Sequence, residues 1–244
     1  MTGLIRADLR RVLRKKSFWI WMVLFFLFQV SDFISAVANE STAEEIVQQF
    51  QRAMSGRFLL IVTIFIYLVR FSDDARSNTE IYVLGRGMSK GRYLASKLLT
   101  CIILAGIYYG FLTVLRQILF RTSDVQMISA RQLRLLGIYS IFMVIRALWC
   151  LSFALLLQQI FGNTVPAILS IAVTAFLSAP LLKTLQFLYR IDLYSYLPDG
   201  LLEAALLNCS SGTIPWQLAV VLILYIGGPL LAASIIFQKK EPDL

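Results

Sequence analysis

The apolar stretches of this chain are too long and too nearly free of charge to be covered by a soluble core. Six are read: Ser17–Val37; Phe58–Phe71, which can extend back through Ala53; Leu98–Phe120; Leu135–Ile160; Val165–Leu182; and Trp216–Phe237. A helix needs about 20 mostly apolar residues to cross the hydrocarbon core of a bilayer. There every backbone polar group must be satisfied internally, so only helices and closed barrels span. Continuous apolar runs, rather than alternating ones, select helices. The expected fold class is an all-α integral membrane protein. Composition agrees: 58% of residues are hydrophobic and 15% charged, with mean hydropathy +0.73, whereas a soluble domain carries about 25% charge. A net charge of +9 would suit a nucleic-acid surface, but this hydropathy does not. No nucleic-acid partner is expected.

Alanine and valine at Ala36-Val37-Ala38 imitate a signal-peptide cleavage site. The long charged leader, residues 1–16, and Asp32 inside the run favour a span instead. Within the leader, Ile5, Leu9, Val12 and Leu13 recur at helical spacing among Arg6, Arg10, Arg14 and Lys15. This pattern predicts an interfacial amphipathic helix over 1–16, its cations facing anionic membrane lipid. A six-span domain over 17–237 and a short tail over 238–244 complete the organisation. One set of loops collects the leader cations, Arg70, Arg76, Arg86, Lys90, Arg92, Lys97, Lys239 and Lys240. The opposite set holds about half as many. The excess of Lys and Arg marks the cytoplasmic side, so both termini are expected there, in a multi-pass plasma-membrane protein.

The chain contains His 0, which removes histidine-dependent triads, zincins and haem ligation. Cys101, Cys150 and Cys209 lie far apart and give no metal spacing. Within the spans the ionisable side chains are Asp32, Arg116 and Arg146. Arg146 falls near the midplane, where a charge costs at least about 2.5–3.5 kcal/mol and needs a partner or water. It is expected to face a translocation pathway, paired with Asp32 or with an anionic group of the substrate. Arg116 is expected to reach the interface by snorkelling.

Residues 72–97 form a charged loop longer than a chain reversal requires. Ser72 or Asp73 can cap a short helix, and Gly85 and Gly87 break it. The run Gly87-Met88-Ser89-Lys90-Gly91-Arg92-Tyr93-Leu94-Ala95-Ser96-Lys97 resembles the Gly-x-Ser-Arg-x-x-Tyr-x-x-x-Lys run of ABC-2-type transporter permeases. Asp73-Asp74 and Asn78-Thr79-Glu80 occupy the place of that family's acidic, Thr-containing stretch. Lys90 replaces the usual Arg, and no clear Glu-x-x-x-Gly-Thr precedes the run. The similarity is greatest to short bacterial permeases of the bacitracin-resistance and lantibiotic-immunity kind.

The resemblance implies the ABC-2-type (type V) exporter topology in a bacterial cell membrane. It makes 72–97 a coupling loop that contacts a separate ABC ATPase, present in two copies, through Asp73, Asp74, Thr79, Glu80, Gly87, Ser89 and Lys90. Gly85-Arg86-Gly87 is not followed by Gly-Lys-Ser/Thr, so this chain has no phosphate-binding loop of its own. No cofactor is expected on the chain; ATP and Mg belong to the ATPase. A second permease copy, identical or a paired paralogue, would complete the pathway. Segment 183–215 would re-enter the membrane from the outer side. The implied substrate is hydrophobic or amphipathic, such as an antimicrobial or cytolytic peptide, with Asp32 and Arg146 along its route. Two other readings were weighed: a membrane enzyme acting on lipid-linked phosphate, with Arg116 and Arg146 as a phosphate clamp, and a non-catalytic assembly or sensor subunit.

Overall fold

A computed structural model describes residues 2–38, 59–69, 85, 87–122, 130–190, 192–210 and 215–239. Among them every regular element is helical. In chain order these are α1 (Thr2–Arg14), α2 (Lys16–Ala38), α3 (Leu59–Tyr67), α4 (Lys90–Thr122), α5 (Ala130–Phe161), α6 (Thr164–Ala172), α7 (Ser178–Tyr189), α8 (Pro198–Ser210) and α9 (Trp216–Lys239). Four helices are long and apolar enough to cross a membrane, and the bent α6–α7 pair makes up to five. The second apolar run is described only as α3, nine residues long, and its flanks lie outside the described residues. This is therefore a helical chain whose apolar helices suit a membrane. α2 turns Trp19, Ile20, Val23, Leu27 and Phe28 outward, an apolar surface that lipid would cover.

α5 is the hub, touching α3, α4, α6, α8 and α9. Of its spanning window 61% is buried, against 28% for α2 and 17% for α9. Its inward side chains include Ala147, Cys150, Leu151, Ala154 and Leu155, and the small ones among them let neighbouring helices approach closely. α3 is buried on most of its surface, with Leu59, Val62, Ile66 and Tyr67 at 0–2% exposure, and turns Ile61 outward. Three buried hydroxyls on α4 and α5 bond carbonyls of the same helix one turn back. Ser96 donates to Tyr93 O, Thr100 to Ser96 O and Ser152 to Trp149 O, which spares them an unpaired O–H in an apolar medium.

The reversals follow local chemistry. Gly162, at φ 67°, ends α5 in the left-handed conformation that glycine adopts freely. Asn163 Oδ1 then caps α6 by accepting from Val165 N at 3.1 Å. Beyond α6 the chain widens into a π turn over Val173–Leu177. The segments Thr164–Ala175 and Pro180–Tyr189 diverge by 58°. A π turn followed by a proline is a recognised cause of such a bend.

At one end of the bundle α1, the start of α4 and the end of α9 are tied together. Asp8 and Lys97 form an ion pair at 3.3 Å, with side chains 8% and 1% exposed. Lys97 Nζ also stands 4.8 Å from the centre of the Tyr93 ring, and Tyr93 stacks on Phe237 of α9. Removing one member of a buried pair strands the other, at a cost of about 3–5 kcal/mol, whereas replacing both by apolar groups is close to neutral. Asp8→Leu alone should therefore lower the detergent melting temperature sharply. Asp8→Leu with Lys97→Met should recover most of the loss, and thermal unfolding by circular dichroism reads both.

Candidate functional site

The central feature is a set of charged and polar side chains inside the bundle, from Arg146 at the middle of α5 to Arg116 in the second half of α4. Arg146 of α5 is 9% exposed. Its Nε lies 2.6 Å from Asp199 Oδ1, in the first turn of α8. That helix start is rich in N–H groups and favours a carboxylate, while Arg146 supplies the full counter-charge. The expected pairing of Arg146 with Asp32 is thus corrected, because Asp199 occupies the guanidinium. Asp32 lies within electrostatic reach of Arg116 instead.

Arg116 departs from the expected snorkelling. It is 1% exposed and donates from Nε at 3.2 Å and Nη2 at 3.0 Å to Gln29 Oε1. Gln29 and Asp32 stand three residues apart on α2 and therefore share a face, which turns toward Arg116. Two hydroxyls, Thr113 of α4 and Ser140 of α5, hydrogen-bond nearby. Tyr108 and Tyr109 are buried at 3% and 0% exposure. Their hydroxyls, like Gln29 Nε2, have no hydrogen-bond partner among the described residues. As for a phosphate clamp, Arg116 and Arg146 are each held by a side-chain acceptor of the chain itself.

Asp199 reaches this set because α8 starts inside the bundle, with Pro198, Asp199 and Gly200 buried, just after the exposed 3₁₀ turn Tyr194–Tyr196. At one end α8 meets the start of α9, where Asn208 Nδ2 donates to Gln217 Oε1 at 3.2 Å. At the other end, Tyr225 OH donates to Tyr196 O at 2.8 Å. At 1.5 Å per residue Tyr225 lies about 14 Å along α9, close to the depth of Arg146 in its own span. α8 thus runs antiparallel to the first half of α9 and begins in the middle of the bundle. Leu201, Leu202 and Ala205 seat it in the core.

The turn before α8 has its own local order. α7 ends on Arg190, at φ 54°, whose N–H bonds Gln186 O at 2.9 Å. Asp192 accepts from Ser195 N at 3.1 Å and Ser195 Oγ at 2.6 Å. Tyr194 OH donates to Glu203 Oε2 at 2.7 Å.

The run Gly87–Lys97 is partly engaged within the chain. Gly87 takes φ 84° and starts the turn into α4. Ser89 O accepts from Tyr93 N at 3.1 Å, and the Ser89 side chain is exposed. Lys90 Nζ donates to Phe237 O at 3.2 Å and Gln238 O at 3.4 Å, carbonyls in the last described turn of α9. Asp73, Asp74, Thr79 and Glu80 lie outside the described residues. So does the tail from residue 240. Among the described residues no three His, Cys, Asp or Glu side chains gather as a metal site.

No family model matches the chain, and no curated protein is detectably similar to it. Asp199 was missed by sequence reasoning because Pro198-Asp199-Gly200 reads as a turn or helix start. Its one signal was an acid at the first turn of a helix rich in leucine and alanine.

Two variants test this geometry. A Cβ on Gly200 would meet Tyr194 O at 2.1 Å and Ser195 Cα at 2.9 Å. Gly200→Ala should therefore push that turn off the start of α8, costing about 1–3 kcal/mol as overpacking does, read as a lowered melting temperature. Gln29→Leu leaves the buried Arg116 without its acceptor and should cost about 1–3 kcal/mol. Gln29→Glu, which keeps an acceptor, should cost less in the same measurement.

Proposed function

We propose that this chain is the membrane permease subunit of an ATP-driven exporter of the ABC-2 type. It would move a hydrophobic or amphipathic substrate, such as an antimicrobial or cytolytic peptide, by alternating access. The observation that carries the reading is the α7–α8 segment immediately before the last helix, which brings the start of α8 inside the bundle, where Asp199 meets Arg146. In the permeases that the sequence resembles, this is the place of a segment that re-enters from the outer side and closes the pathway. The amphipathic α1 and the start of α4 share one end of the bundle with the end of α9. That end is read as cytoplasmic, which puts both termini inside a bacterial plasma membrane.

In this reading a second permease copy, identical or a paralogue, completes the pathway, and two copies of a separate ATPase carry ATP and Mg. The ATPase would grip residues 72–97, with Asp73, Asp74, Thr79 and Glu80 on the contact. Movement of that loop would pass directly into α4, and through Lys90 and Tyr93 into the end of α9. Six spans are part of the proposal, with the second formed by α3 and its flanks.

The test is co-purification from the native membrane in mild detergent, followed by mass spectrometry. A P-loop ATPase is expected with the unaltered chain and should be lost from Thr79→Arg/Glu80→Arg. Intact chain recovered without any ATPase would remove the exporter reading and return the lipid-phosphate enzyme and assembly-subunit readings to the front.

A further inference from the structure

We propose that the outward face of α1 is a binding site for one anionic phospholipid. Its phosphate is held by Arg6, Arg10 and Arg14, and the upper part of an acyl chain lies along Ile5, Leu9 and Leu13. A basic amphipathic leader by itself predicts only diffuse attraction to such lipid; the fold adds a shaped groove on a fixed helix. The site stands apart from the exporter reading.

The six side chains line a shallow groove of about 480 Å³. They belong to three apolar–arginine pairs, Ile5-Arg6, Leu9-Arg10 and Leu13-Arg14, repeated every four residues. Residues four apart are neighbours on a helix surface, so the pairs form two parallel stripes, one apolar and one basic. From Arg6 to Arg14 the basic stripe runs about 12 Å along the axis. The three arginines and Leu13 are exposed, and Ile5 and Leu9 are half-buried. Among the described residues no ion pair engages Arg6, Arg10 or Arg14.

The opposite face fixes α1 in place. Val12 is fully buried, and Asp8 is held by Lys97 of α4 at 3.3 Å. The chain turns from α1 into α2 on the bonds Lys15 N to Val12 O and Phe18 N to Lys15 O. Trp19 of α2 then donates from Nε1 to Leu13 O at 2.8 Å. The groove thus keeps its place without a ligand, which spares a lipid the cost of ordering the helix.

Two features select a lipid as the occupant. Guanidinium groups take phosphate oxygens in bidentate fashion, and the apolar stripe beside them suits the hydrocarbon that follows a lipid phosphate. The groove also ends beside Trp19, whose indole favours the headgroup level. From there α2 turns Ile20, Val23 and Leu27 outward, so the groove leads from the polar surface onto surface that lipid would cover.

The experiment uses the full chain in neutral detergent at about 0.15 M salt, where exposed charges farther apart than about 8 Å are largely screened. Dioleoylphosphatidylglycerol is titrated in, and native mass spectrometry counts the bound lipid. Saturation at one tightly bound lipid per chain is expected. Arg6→Gln/Arg10→Gln should weaken binding roughly 30-fold, from the contribution of two basic side chains near an anionic surface. Leu13→Ser should weaken it roughly 5-fold through lost apolar contact. Arg92→Gln/Lys239→Gln removes the same charge from exposed positions at the same end of the bundle and should stay within about 3-fold of the parent. Equal weakening by the two double variants overturns the site, because attraction would then be diffuse. Binding at the parent affinity in Arg6→Gln/Arg10→Gln overturns it as well. Soluble glycerol phosphate that displaces the lipid at equal concentration, or Leu13→Ser at the parent affinity, overturns the part assigned to the apolar stripe.

Discussion

A charge placed among apolar helices is stable only beside a partner, and that requirement gives this bundle its register. Lipid tails are as apolar as leucine, so burial alone does little to choose which helices meet. Polar contacts between helices do. Asp8 with Lys97 fixes α1 on α4, Gln29 with Arg116 fixes α2 on α4, and Asp199 with Arg146 fixes α8 on α5. Each contact is buried, and each joins an element at the edge of the bundle to one of its two longest helices. Leucine, isoleucine and phenylalanine then fill the space that these pairs define.

The contacts divide the molecule into regions of different character. At the end holding α1, the Asp8–Lys97 pair, the Tyr93–Phe237 stack and the Lys90 bonds to α9 carbonyls bind three elements into one block. Midway along the bundle, α8 is held to α5 by the Arg146–Asp199 pair and by Leu201, Leu202 and Ala205 in the core, and to α9 by the Asn208–Gln217 bond. A block tied together at one end and a helix that starts on a buried ion pair in the middle are compatible with alternating access, the function proposed here.

Much of the architecture was legible because membrane helices announce themselves by length and hydropathy. Leu98–Phe120 and Leu135–Ile160 lie within α4 and α5, which extend beyond them on both sides, since helix formation does not stop where apolarity does. The partners of the buried charges were not legible. Arg116 read as a snorkelling side chain because its spacing to α2 cannot be seen in sequence, although Gln29 and Asp32 on one face were a signal. Asp199 was hidden because Pro198-Asp199-Gly200 has the composition of a surface turn. Lys90 read as a residue turned toward a partner protein; in the fold its ammonium bonds carbonyls of the chain's own last helix. The resemblance at Gly87–Lys97 was visible as a motif, but what Lys90 and Tyr93 touch depended on a helix more than a hundred positions away.

The claim on which the account turns is that Arg146 and Asp199 stabilise the fold through each other. A double-mutant cycle measures this directly: Arg146→Met, Asp199→Leu and the double variant, each unfolded reversibly in mixed micelles. Residues in contact show interaction energies of about 0.5–3 kcal/mol. The account predicts coupling toward the upper end of that range, with the double variant more stable than the sum of the single losses. Losses that add to within about 0.5 kcal/mol would contradict it, because the two charges would then act independently and packing alone would hold the start of α8 on α5.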